Sequence, residues 1–301
     1  MNKSFLPWSI AEWTATFEGA CLLTIFSAYC DESEVGTDDK GVRVFSVAAA
    51  FGEQDGGWIY FKQPWTAILE KHGVEYFRAS QFEAKRGPYE DWCSIRRKEF
   101  HSDLIDVVNG ADTMWFSCTL VLNDYEALTD ADRKVLGTPY EFCAEWCARN
   151  ISCMLNQYPW NKLEGLVHYV FEQRQGGAGR VPDSFERALK SCPERRLAGR
   201  PLWARKEDFV ELQVADLFAY EVGKDCLRDM GVDRREPRKS LLALDKLTPR
   251  RHYRFDKNNL RMVIERGLTD FAKSDLEAAR ERGWKGPSKP SAAPADHDGG
   301  G

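Results

Sequence analysis

Leu22-Leu23-Thr24-Ile25-Phe26-Ser27-Ala28-Tyr29-Cys30 runs without a charge into Asp31-Glu32-Ser33-Glu34, and the fold turns on that junction. A run this apolar and β-prone has no polar face to leave in water. It predicts a central strand covered on both sides, with its charged end emerging at an edge of the sheet. Ligand sites gather outside such carboxyl ends. The pattern recurs where Leu166-Val167-His168-Tyr169-Val170-Phe171 meets Glu172, followed by Gln173-Arg174-Gln175-Gly176-Gly177. A third acid, Asp216, lies within Phe209-Val210-Glu211-Leu212-Gln213-Val214-Ala215-Asp216-Leu217-Phe218-Ala219-Tyr220, a segment so apolar that a helix built from it must be mostly buried.

An ionised carboxylate in apolar surroundings must be paired, protonated or bound to a cation. Either Arg partners or a divalent metal would neutralise these three. On the helix, Gln213, Asp216 and Tyr220 have i, i+3 and i+7 spacing and share one face. Each acid alone has a plainer reading. Asp-Glu-Ser after a strand also makes a turn or a helix cap, Glu172 also suits a solvated strand end, and Arg can neutralise a buried Asp. The case rests on their combination.

At 301 residues, with 43% apolar and 12% aromatic content, the chain has material for a large core, arranged as one elaborated domain or as two. No stretch approaches the length of a membrane span. Met1-Asn2-Lys3-Ser4-Phe5-Leu6-Pro7-Trp8 lacks a secretory pattern, so a soluble cytoplasmic protein is expected. The nine cysteines include no Cys-x-x-Cys pair, and Cys143 and Cys147 have helical spacing, with Cys153 following. Reduced, buried thiols fit this better than a zinc site. The net charge of −5 argues against attraction of nucleic acid to the whole surface, yet between Arg228 and Arg254 cations outnumber anions. Arg234, Arg235, Arg238 and Lys239 are the candidates there for following a phosphate backbone, against the plainer reading of a solvated segment.

Residues 42–51 predict a second strand and 58–61 a short third one, connected tightly enough for an antiparallel meander. A helix follows Pro64 to Lys71, whereas 75–89 has no clean period and is expected as a loop. Helices over 92–108, 140–155, 183–190 and across Asp216 alternate with strands over 113–122, 166–172 and 202–205, which adds crossover units to the meander. The expected organisation is an N-terminal segment (1–20), a main domain (21–227), a basic then helical C-terminal extension (228–284, helical from 259) and a disordered low-complexity tail (285–301).

Three segments resemble the bacterial domain-of-unknown-function family numbered 3800, whose members are ribonuclease H-like. They are Tyr29-Cys30-Asp31-Glu32-Ser33, Val170-Phe171-Glu172-Gln173 and Leu212-Gln213-Val214-Ala215-Asp216-Leu217-Phe218-Ala219-Tyr220, the last being the most specific. The resemblance spans roughly residues 26–224. A weaker match is Tyr76-Phe77-Arg78-Ala79-Ser80-Gln81-Phe82, where family members often have His in place of Arg78. They also commonly have Gly where Glu34 stands here. These departures count against a direct role for the Arg78 loop.

The resemblance implies an α/β fold with a ribonuclease H-like mixed sheet, a three-strand meander followed by crossover strands, flanked by helices. Asp31 would lie on the first strand, Glu172 at the end of a later one, and Asp216 on a helix packed beside them. It implies a divalent-metal-dependent nuclease or phosphodiesterase in which Asp31, Glu172 and Asp216 are the catalytic metal ligands for Mg²⁺ or Mn²⁺. In that scheme Asp31 bridges two ions, the other two acids hold one each, and Glu32 or Gln213 supports them. Hard carboxylate oxygens suit such ions, which activate water and stabilise a leaving oxyanion. The partner would be nucleic acid, DNA or RNA. Two other classes fit the same residues: a catalytically inactive ribonuclease H-like module that binds nucleic acid or protein, and a small-molecule phosphohydrolase with a closed pocket. Retention of all three acids favours an enzyme over the inactive module.

Overall fold

The apolar run lies at the centre of the sheet. In the computed structural model, which describes residues 25–36, 41–157, 166–173, 200–247 and 250–281, β1 (Ile25–Gly36) pairs antiparallel with β2 (Arg43–Glu53) and parallel with β4 (Leu166–Glu172). β3 (Thr113–Val121) extends the meander beside β2. Two edge strands join in parallel, β5 (Leu202–Ala204) on β4 and β6 (Arg250–Phe255) on β3, giving the order β5-β4-β1-β2-β3-β6. Every residue of β3 is buried, as a strand covered on both faces requires.

Alternation along the strands sends side chains to two cores. Phe26, Ala28 and Cys30 of β1, with Phe45, Val47 and Phe116, pack under α6 (Pro139–Gln157), α9 (Lys257–Arg266) and α10 (Leu268–Glu281). Tyr29, Ala48, Ala50, Trp115 and Val170 pack on the other face. There they meet α1 (Ile59–Lys71), α2 (Ala79–Ala84), α3 (Ser94–Gly110), α7 (Val210–Asp229) and α8 (Lys239–Leu247). Two short helices, α4 (Leu122–Glu126) and α5 (Asp130–Leu136), lead from β3 to α6. The result is a six-stranded mixed sheet between two helical layers. α7 lies so close to it that a Cβ on Gly223 would stand 2.9 Å from Val35 Cγ2 and 3.2 Å from Ser46 Oγ.

Three expectations need correction. Residues 58–61 are helical, and the third strand of the meander is β3. Trp58, Phe61, Trp65 and Leu69 are all buried at helical spacing, so a 3.6-residue period overrides the short β-prone reading. Residues 75–89 are not all loop: α2 buries Ala79 and Phe82, and a 3₁₀ turn (Gly87–Tyr89) buries Tyr89. β6 and α8 were not foreseen, because Arg250-Arg251-His252-Tyr253-Arg254 reads as a solvated stretch. β6 makes the region beyond residue 228 a part of the sheet. The start of the apolar run (22–24), the helix expected over 183–190, the N-terminal segment and the tail lie outside the described residues. No described helix is long and apolar enough to cross a membrane. Among the described residues, Cys30, Cys118, Cys143, Cys147, Cys153 and Cys226 are buried thiols outside any disulfide, and Cys93 is an exposed one.

Candidate functional site

Parallel pairing sets two of the acids side by side. Cys30 pairs with Phe171, so Asp31 and Glu172, one residue on, take neighbouring positions facing α7, opposite to Cys30 and Phe171. α7 brings Asp216 down onto them. Glu172 pairs in turn with Ala204 of β5. Two residues beyond Ala204, in the turn over 206–208 that leads to α7, stands Lys206.

Lys206 joins the cluster together. Its Nζ lies 2.8 Å from Asp31 Oδ2, 3.1 Å from Glu172 Oε2 and 3.2 Å from Asp216 Oδ1. Its side chain is 2% exposed and that of Asp31 is fully buried. The second oxygen of each acid is also engaged. Asp31 Oδ1 accepts from the Glu32 N–H at 2.8 Å, Glu172 Oε1 from Arg78 Nη2 at 3.3 Å, and Asp216 Oδ2 from the Ala79 N–H at 2.5 Å. Gln213 braces the surroundings: its Oε1 accepts from the Trp65 indole at 2.9 Å and the Phe77 N–H at 2.8 Å, and its Nε2 donates to the Lys206 carbonyl at 2.9 Å.

Three carboxylates face two cations, Lys206 and Arg78, which leaves one negative charge. Burial, followed by the charges of Asp216 and Glu172, pushes the Asp31 carboxyl well above the usual range against the pull of Lys206. Burial also raises Glu172, but a hydrogen bond from Asp31, the Lys206 ammonium and the Arg78 guanidinium outweigh it and hold Glu172 low. A proton on Asp31 directed at Glu172 balances the cluster. Burial alone would depress Lys206, yet the three acids hold it above its ordinary value and it stays charged.

The donor set suits a hard divalent cation: it is all oxygen and anionic, and it already surrounds a positive charge. The distances are those of hydrogen bonds, about 1 Å longer than the roughly 2.1 Å of Mg²⁺–oxygen bonds. Accordingly, no group of three or more His, Cys, Asp or Glu among the described residues is arranged to hold an ion as it stands.

Asp31, Glu172 and Asp216, predicted from the sequence, do come together. Glu32 follows Asp31 on a strand, so its side chain leaves by the opposite face, and its N–H serves the site. Among the described residues Gln213 hydrogen-bonds to none of the three acids; it holds the Trp65 indole, the Phe77 N–H and the Lys206 carbonyl beneath them. The Arg78 loop, which the sequence departures discounted, reaches the site through Arg78, Phe77 and Ala79. Of the proposed phosphate-following cations, Arg238 is held by Glu83 and Glu221, and Arg235 by Asp233, while Arg234 and Lys239 are exposed. Lys206 was missed, since Ala204-Arg205-Lys206-Glu207-Asp208 reads as a solvated turn. The available signal was the demand of three buried acids for a cation at the end of the strand beside Glu172.

No family model, no curated protein and no solved structure matches the chain.

Proposed function

We propose that the chain is a divalent-metal-dependent nuclease or phosphodiesterase on a ribonuclease H-like sheet, with Asp31, Glu172 and Asp216 as the ligands of Mg²⁺ or Mn²⁺. The observation that carries the reading is the convergence of these acids, from β1, β4 and α7, on a single cation. The antiparallel β1-β2-β3 meander, continued through β4 and β5 parallel to β1, supports the fold assignment, as does the resemblance to the domain-of-unknown-function family. Bound ions would supply an activated water and stabilise the leaving oxygen of a phosphodiester.

The protein's own groups prepare that chemistry. The backbone N–H groups of Glu32 and Ala79 orient Asp31 and Asp216, and Gln213 holds Phe77 and the Lys206 carbonyl beside them, before substrate arrives. Arg78 has a side chain 38% exposed and uses one nitrogen on Glu172, so its remaining N–H groups can receive a phosphate oxygen. Lys224 and Arg238 lie 5.6 Å from the Tyr220 ring, one turn along α7 from Asp216. Arg238 is neutralised there by Glu83 and Glu221, which leaves Lys224, about two turns along α7 from Asp216, as the cation offered to a polyanionic partner.

The test is cleavage of labelled single-stranded DNA, duplex DNA, RNA and an RNA–DNA hybrid in Mn²⁺. Wild type is expected to cut at least one of them and Asp31→Asn none. Equal cleavage by both, or none by wild type, overturns the proposal. One observation favours the second reading, an inactive binding module: Lys206 already supplies a cation, so the acids can persist without metal. That reading expects Asp31→Asn and wild type to bind nucleic acid equally without cutting it.

A further inference from the structure

We infer that Lys206 occupies the metal seat itself, so that its ammonium and a divalent ion hold Asp31, Glu172 and Asp216 in alternation and the lysine must swing out before an ion can bridge all three. The inference rests on the proposed metal-binding reading of the site and adds a competitor that belongs to the chain.

The geometry makes the two states exclusive. One oxygen from each acid points at Nζ within 3.2 Å, and an ion bridging the same oxygens would stand where Nζ stands. The lysine is tethered at its backbone, and with a side chain 2% exposed it leaves only when its neighbours give way. Its backbone is fixed by the turn after β5, by hydrogen bonds from the Asp208 and Phe209 N–H groups to the Arg205 carbonyl, and by the Gln213 amide on its own carbonyl. Its four-carbon stem can still change rotamer with the backbone held in place. An ion that replaces the ammonium brings the three acids one more positive charge than Lys206 does, which favours exchange when an ion is present. In the absence of an ion, the tethered ammonium keeps the acids from repelling one another. This explains why they can be buried together at all.

The test is Mn²⁺ binding to the full chain, measured by calorimetry for wild type, Lys206→Met, Lys206→Gln and Lys206→Met/Asp216→Asn. Removing the internal competitor is expected to tighten binding at least tenfold in both single variants, and Asp216→Asn is expected to reverse the gain. A Lys206→Met chain that folds only when Mn²⁺ is added supports the same conclusion. Equal binding by wild type and Lys206→Gln overturns the inference while leaving the metal site standing, since lysine and ion would then coexist. No binding by wild type or either single variant ends both. Binding by the lysine variants alone keeps the inference and removes the metal-dependent reading of the wild-type chain.

Discussion

Replacing Gln213 by Ala tests whether the site is braced from beneath. Gln213 is 1% exposed, and its amide satisfies three buried groups at once: the Trp65 indole N–H, the Phe77 N–H and the Lys206 carbonyl. Truncation orphans all three. At about 1–3 kcal/mol for each unsatisfied buried group, the loss begins near 3 kcal/mol. The cavity left behind adds to it, and a water entering the vacated space recovers part. Against a total stability of about 5–15 kcal/mol this is a large fraction. Urea unfolding followed by tryptophan fluorescence measures it, with the denaturant slope checked for constancy. Hydrogen exchange supplies a second, local readout: the amides of Phe77 and Ala79 should lose protection, because the segment that presents them to Gln213 and Asp216 is no longer held. A loss below about 1 kcal/mol at unchanged slope, with both amides still protected, contradicts the bracing role, since even one orphaned group should cost that much.

Arg238→Met should destabilise the fold, because it strands Glu221, 1% exposed, with Ser240 as its remaining hydrogen-bond partner among the described residues, and also releases Glu83. A loss of about 3 kcal/mol at pH 7 is expected, shrinking toward pH 5 as Glu221 takes up a proton in the native state; thermal melts at the two pH values check it, and an unchanged melting temperature refutes it. His101 supplies a pH dependence of its own. Burial, then the charges of Arg238 and Arg97 against that of Glu83, lowers its pKa from 6.5 to about 4, and its Nε2 is buried without a hydrogen-bond partner among the described residues. The unfolded chain therefore takes a proton that the native one refuses, and stability falls as pH drops from 6.5 toward 4. Between pH 7 and 5 this term removes about 1 to 2 kcal/mol. His101→Gln should abolish that part of the decline in urea midpoints, and parallel curves for the two proteins would show that the ring is not responsible.

What was legible in the sequence followed from periodicity and from the cost of burying charge. An uncharged β-prone run can sit only at the centre of a sheet, and the same reasoning located β4 and the helix carrying Asp216. It failed where two periods compete over a short stretch, as at Trp58-Ile59-Tyr60-Phe61, whose helical phase shows only once Trp65 and Leu69 are counted with it. It failed again at β6, where the apolar pattern is interrupted by arginines; Arg251, for one, is buried and paired with Asp275. At the site, the demand for positive charge was visible and its source was not. The alternatives considered were Arg and metal, both supplied from outside the local pattern, whereas the cation is Lys206, in a turn whose composition matches any solvated loop. Its identity depends on register. Ala204 pairs with Glu172, Phe171 with Cys30, and only the three-strand alignment carries the turn after β5 to the acids. A short edge strand such as β5 has little pattern of its own to reveal that alignment. Buried acids in a sequence thus predict that a neutralising partner exists, and the neighbouring strand end is the place to look for it.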